Sequence, residues 1–165
     1  MARTLFDFSS PETVAEWSAI DDRVMGGISR SRMRHDPAGH AVFEGVVSLE
    51  QNGGFASVRS RAGPLGAPGA VAYLLDVAGD GKRYKLSLRL DDGFDGVTYQ
   101  ADFAPAAAAW TIVRLPVAAF RATFRGRTVT DAPLLDSARV RQAGLLIADR
   151  QTGPFELAIR AIRVE

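Results

Sequence analysis

The stretch Tyr84-Lys85-Leu86-Ser87-Leu88-Arg89-Leu90 puts an apolar side chain at every second position, the period of a strand that buries one face and shows the other to water. The same alternation runs through Val97, Tyr99, Ala101 and Phe103. It returns in Phe155, Leu157 and Ile159, with Glu156 and Arg160 on the opposite side. Further strands are predicted over Leu5 to Phe8, Ser29 to Arg34, Ala41 to Leu49, Gly54 to Ser60, Val71 to Val77, Thr111 to Leu115, Phe120 to Phe124 and Gly144 to Ala148. In the last strand the apolar phase slips by one at Ala161-Ile162, which predicts a β-bulge there. One segment reads as helix: Ser10 can cap it, Pro11 suits its first position, Glu12 favours the positive end of its dipole, and Val14 with Trp17 forms an apolar i, i+3 pair. Many short strands with one helix of at most two turns imply an all-β sandwich or barrel.

Turn chemistry punctuates the strands. His35-Asp36-Pro37-Ala38-Gly39, Gln51-Asn52-Gly53-Gly54, Gly79-Asp80-Gly81 and Asp91-Asp92-Gly93-Phe94-Asp95-Gly96 supply residues that reach positive φ, and Gly63 to Gly69 reads as a surface connection. No internal repeat and no long linker divides the chain, so residues 1–165 are expected to form one domain, a usual length for one core.

Composition closes off much chemistry. The chain has no cysteine, which excludes disulfides, thiolate metal sites and cysteine nucleophiles. Its formal charge of +1 gives no general pull toward nucleic acid or anionic lipid. No apolar stretch approaches the ~20 residues of a membrane helix. Asp7 interrupts the start where a signal peptide needs an unbroken apolar region, so the expected compartment is the cytoplasm.

The motifs that invite a catalytic or metal reading fail on spacing. Gly79-Asp80-Gly81-Lys82 lacks the four-residue spacing and the Ser/Thr of a phosphate loop, and reads as a hairpin turn. Asp91, Asp95 and Gly96 match three positions of a calcium loop, but Gly93 stands where a ligand belongs and Asp102 replaces the final Glu. His35 and His40 have no third ligand in view and read as solvated loop residues. No nucleophile elbow or spaced carboxylate pair occurs, so no catalytic residue, metal or cofactor is expected.

Binding residues are sought among the polar groups instead. Asp22-Arg23-Val24-Met25-Gly26-Gly27 reads either as a binding loop, its glycines admitting a ligand or partner backbone and Asp22 and Arg23 anchoring it, or as a plain bend with a local ion pair. Arg30, Arg32 and Arg34 project from one face of a strand, while Arg59, Arg89, Tyr99 with Gln100, and Arg125 lie in other strands and turns. Convergence of several on one sheet face would make a surface for a protein or glycan, the alternative being a solvated face.

A series of phrases in fixed order adds to this reading. Trp17, then Asp22-Arg23-Val24-Met25-Gly26-Gly27-Ile28-Ser29, Phe43-Glu44-Gly45, Asn52-Gly53-Gly54-Phe55-Ala56-Ser57-Val58-Arg59 and Gly79-Asp80-Gly81-Lys82-Arg83-Tyr84 occupy the first half. Tyr99-Gln100-Ala101-Asp102-Phe103, Trp110, Leu115-Pro116, Phe120 to Arg127, Gly144 to Asp149 and Gly153-Pro154-Phe155 follow. From about Phe6 to Val164 the chain resembles the complex I intermediate-associated protein 30 family. The resemblance implies a galactose-binding-like jelly roll, akin to carbohydrate-binding modules. It also implies a non-enzymatic role in assembling NADH:ubiquinone oxidoreductase, with a respiratory-complex subunit or assembly intermediate as partner. A carbohydrate ligand on a concave sheet face is the alternative. No catalytic residues carry over, so Asp22, Arg23, Arg59, Arg89, Tyr99 and Arg125 stand as the expected binding residues from the reading of the sequence alone.

Overall fold

The computed structural model describes residues 2–22, 26–93 and 96–165, the side chain of Asn52 excepted. Along the chain run β1 (Arg3–Asp7), α1 (Pro11–Ala15), β2 (Trp17–Ala19), β3 (Arg30–Asp36), β4 (His40–Val47), β5 (Ala56–Ser60) and β6 (Ala72–Ala78). They are followed by β7 (Tyr84–Arg89), β8 (Thr98–Phe103), β9 (Trp110–Pro116), β10 (Arg121–Phe124), β11 (Arg127–Thr128), β12 (Gln142–Ile147) and β13 (Gly153–Val164). Two antiparallel sheets face each other, one in the order β3-β4-β13-β6-β9 with β1 also on β13, the other in the order β11-β10-β8-β7-β12-β5-β2. This is the jelly-roll sandwich, and the long strands lie within two residues of where the period of two puts them.

The alternation decides what fills the space between the sheets. Phe43, Tyr73, Leu75, Val77, Leu157 and Ile159 from one sheet meet Val58, Tyr84, Leu86, Leu88, Leu145 and Ile147 from the other, all essentially without solvent contact. Burying a side chain of this size is worth about 1.5–3 kcal/mol relative to exposure, so these interdigitated residues carry most of the driving force. β13 shows how the phase slip is absorbed. β4 pairs with Gly153 to Ile159 and β1 with Ala161 to Val164, and the register against β6 shifts between Ile159 and Ala161. Arg160 is the extra residue, one position before the predicted bulge, and it lets Ile159 and Ile162 both reach the core although they are three apart.

Four local expectations need correction. Ser10 stands at the helix N-cap, yet its hydroxyl donates to Glu12 Oε2 at 2.8 Å and caps no backbone N–H. Trp17 leaves the helix and opens β2, where pairing with β5 and edge-on packing against Phe6 and Phe8 bury it. Gly79-Asp80-Gly81 is a corner between the two sheets and not a hairpin, because β6 and β7 belong to different sheets. Asp80 holds that corner: Tyr84 Oη and the Glu156 N–H both donate to its Oδ2, at 2.9 and 2.8 Å, and Lys82 N–H donates to Oδ1. Burial, reinforced by the Asp80 charge, pushes the Tyr84 hydroxyl far above its ordinary pKa. His35 and His40 are half-buried rather than loop-solvated; the first pairs its Nε2 with Ser9 O and the second packs edge-on against Trp110.

Candidate binding face

The outer face of the seven-stranded sheet carries one continuous polar row. Register pairs Ser18 with Arg59, Arg59 with Gly144, Gly144 with Ser87, Ser87 with Gln100 and Gln100 with Arg121. Directly paired residues in a sheet share a face, so these six line up across β2, β5, β12, β7, β8 and β10. Gly144 is required in the middle, since a Cβ there would lie 2.7 Å from Ser87 Oγ and 3.1 Å from Val58 O. Strands spaced ~4.8 Å apart put Arg59 and Arg121, four strands from each other, roughly 19 Å apart.

A second row, Ser57, Leu146, Lys85 and Asp102, runs beside the first. Lys85 Nζ, with only 12% of its side chain exposed, donates to Asp102 at 3.1 Å and to Asp149 at 3.2 Å, and Arg121 reaches Asp102 at 3.2 Å. Burial tends to raise the Asp102 pKa, but the bonds and charges of Lys85 and Arg121 outweigh it and hold the carboxyl below its ordinary value. The face is thus a set of charges already matched to each other, flanked by the amide of Gln100 and the hydroxyl of Ser87. Leu146 is its one large apolar side chain among the residues of these two rows.

The residues expected to bind are spread through the molecule. Arg59 lies in the polar row. Arg89 points to the same face but is 3% exposed, beside Asp91 and Gly96 of the β7–β8 connection, where Gln142 Nε2 donates to Asp91 O and Gly93 O. Its guanidinium donates to Asp91 at 3.2 Å and to Gly96 O at 3.4 Å. Tyr99 is on the inner face, 4% exposed, its hydroxyl donating to Pro133 O; it belongs to the apolar phase it shares with Ala101 and Phe103. Arg125 sits in the β10–β11 turn at φ 51 with its guanidinium over the neighbouring Phe124 ring. Arg23 lies outside the described residues. Gln100, Ser87, Lys85 and Arg121 complete the face; their outward phase was visible in the sequence, their adjacency was not.

Asp22 is a structural hub and not a rim residue. With no exposure, its carboxylate accepts from Ser29 N–H at 2.9 Å, Ser29 Oγ at 2.5 Å, Gly54 N–H at 2.7 Å and Phe55 N–H at 3.4 Å. The glycines around it admit the protein's own atoms: a Cβ on Gly27 would lie 2.4 Å from Asp22 Cγ and 2.7 Å from Gly53 Cα. Asp21 does the same for β3 and β5, accepting from Ser31 and Ser57.

Of the residues that match a calcium loop, Asp95 lies outside the described residues, whereas Asp91 is engaged by Arg89 and the neighbouring Asp92 by Nε and Nη2 of Arg141. Among the described residues no group of three His, Asp or Glu is placed to hold a metal ion, and no helix is long and apolar enough to cross a membrane. Arg30, Arg32 and Arg34 do share a face, but on the other sheet, where Arg32 and Arg34 both pair with Glu44.

Aromatic side chains are almost all committed to the core. Among the described residues only Phe55, Trp110 and Phe124 keep partial exposure, and none is in the polar rows. Trp110 projects from the opposite sheet and carries the Arg160 guanidinium 3.8 Å from its ring centroid.

The fold is similar to that of a family 11 carbohydrate-binding module of Clostridium thermocellum solved with a β-1,3-1,4-mixed-linked tetrasaccharide, with a TM-score of 0.74 at 13% identity over 99% of this chain and 94% of that one. An agarase, AgWH50C, contains a similar unit, with a TM-score of 0.60 at 13% identity over 99% of this chain and 24% of the agarase. In sequence, an uncharacterised protein of Schizosaccharomyces pombe is 29% identical over 180 residues, spanning 94% of this chain and 81% of that protein. The profile of complex I intermediate-associated protein 30 matches residues 6–159, nearly the full length of the two sheets, and the chain belongs to that family.

Proposed function

We propose that this chain is a protein-binding module of one domain that acts without catalysis, as a chaperone or scaffold holding a respiratory-complex subunit or assembly intermediate against the outer face of its seven-stranded sheet. The observation that carries this reading is the in-register row Ser18, Arg59, Gly144, Ser87, Gln100 and Arg121. Its ~19 Å between guanidinium-bearing positions is the reach of roughly six extended residues. Such a segment with acidic side chains at its ends would approach Arg59 at one end and compete with Asp102 for Arg121 at the other, with hydrogen-bonding groups between, over a floor that Gly144 keeps low. Membership of the complex I intermediate-associated family supports the choice of partner. The module is assigned to the cytoplasm, and fractionation followed by immunoblotting checks this.

A carbohydrate ligand is the second reading, favoured by the likeness of the fold to a module solved with a tetrasaccharide. Sugar rings are gripped by stacking on aromatic faces, and the polar rows offer none, so the protein reading is preferred. Affinity capture from detergent-solubilised membranes, with quantitative mass spectrometry of complex I subunits, tests the choice. Wild type is expected to enrich such subunits and the Arg59→Glu, Arg121→Glu double variant to lose them while its circular-dichroism spectrum stays that of the folded sandwich. Equal recovery rejects the face, and a glycan array with specific hits replaces the reading with the second one.

A further inference from the structure

We propose that a second copy of this chain pairs with the open edge of β9, joining the two six-stranded sheets into one. Edge strands expose unpaired backbone groups, and proteins blunt them by shortness, bulges, charge or a covering element. Every other edge in this sandwich has such protection. β3 is covered by α1, β2 and β5, and the Ser31 N–H on it is taken by Asp21. β2 and β11 have three and two residues. β1 begins and ends on charged Arg3 and Asp7 and has an irregular register between Thr4 and Phe6.

β9 has seven residues, an unbroken register against β6, and Ile112 at 53% exposure. Its one charged residue, Arg114, is met by Glu165 at 2.8 Å. Among the described residues no backbone hydrogen bond from another element reaches Trp110 to Pro116 on the side away from β6. The phase of that free edge follows from its end. Val117 N–H donates to Val71 O at 2.9 Å, one position beyond the Ala72–Pro116 pair. Antiparallel pairing alternates, so Leu115, Val113 and Thr111 turn their N–H and C=O toward β6. Arg114, Ile112 and Trp110 turn theirs outward.

These three residues are self-complementary about a two-fold axis at Ile112, the geometry of an isologous dimer. An antiparallel copy centred there sets Ile112 against Ile112 and Trp110 against Arg114 of the second copy, at both ends of the contact. Each pair exchanges both backbone hydrogen bonds. On the outer face the apolar side chains cover each other and a guanidinium meets an indole, a favourable pairing. Pro116 follows the last pair and needs no outward N–H.

The chain contains no cysteine, so single-cysteine variants report the contact directly. Ile112→Cys is expected to form a disulfide-linked dimer on mild oxidation, because hydrogen-bonded pairs have Cα atoms ~5.5 Å apart, within disulfide reach. Val71→Cys, exposed but off this edge, is the comparison and should remain largely monomeric. Sedimentation velocity of wild type from ~5 to ~500 µM should show a concentration-dependent dimer, as an interface of small area predicts. Ile112→Lys, which sets two ammonium groups against each other, should weaken it at least ~tenfold with an unchanged melting temperature. A wild type that stays monomeric throughout, a dimer indifferent to Ile112→Lys, or equal cross-linking of the two cysteine variants overturns the proposal.

Discussion

The fully buried carboxylate of Asp22 takes both the backbone N–H and the hydroxyl of Ser29, at 2.9 and 2.5 Å, and through Gly54 N–H at 2.7 Å ties the start of β3 to the approach to β5. A carboxylate at such a hub leaves several buried donors orphaned when removed. Asp22→Ala is expected to cost about 2–4 kcal/mol, measured by urea unfolding, because each stranded polar group keeps its desolvation penalty. A loss under ~0.5 kcal/mol, typical of a surface substitution, would contradict the hub.

The glycines beside it should separate two kinds of cost. Gly27→Ala drives a Cβ into Asp22 and the Gly53 backbone, an overpacking effect of about 1–3 kcal/mol. Gly39→Ala meets nothing within 4 Å but must hold φ +94, so its cost of about 1 kcal/mol is conformational alone. Paired denaturation curves should rank Gly27→Ala as the more damaging, and the reverse order would misplace the close approach.

Acid stability should follow Glu44 and Asp102. Burial raises both, but Arg34 and Arg32 in one case and Lys85 and Arg121 in the other bring the folded pKa below the ordinary 4.5 and 3.8. A depressed folded pKa contributes stability that is complete above the unfolded value and disappears as pH falls through the folded one. Melting temperature is therefore expected to be flat in this contribution above about pH 5 and to drop below it. Glu44→Gln should flatten part of that acid limb, and an unaltered pH profile would show that the pair contributes nothing.

The two tryptophans should report separately. Trp17 is 5% exposed, whereas Trp110 is half-buried with Arg160 over its ring. In a Trp17→Phe background, Arg160→Ala should increase acrylamide quenching and cost about 0.5–1 kcal/mol, the worth of an exposed cation–π contact. Quenching that does not change would mean the guanidinium does not shield the indole.

Much of the sandwich was legible in the linear chain because a period of two is a local property. Leu86 and Leu88, or Leu157 and Ile159, announce a buried face whatever lies opposite, and the slip at Ala161-Ile162 announces the bulge to within one residue. That Tyr99 faces inward was equally local, since it alternates with Thr98 and Gln100; reading it as a contact residue overrode its own phase. β2 and β11 were missed because two or three residues are too few to display a period.

The sequence by itself determined which side chains face the core and where the chain turns, because alternation and positive-φ residues act over a few positions. Only the tertiary structure decided which strands are neighbours, and with that everything about the site. Arg59 and Arg121 share a row because β12, β7 and β8 lie between them. Arg30, equally outward on its own strand, falls on the other sheet, and Asp22 turns from a candidate contact into a buried tie. Strand order is set by pairings among residues tens of positions apart, where burial of the whole core and not local preference selects the register.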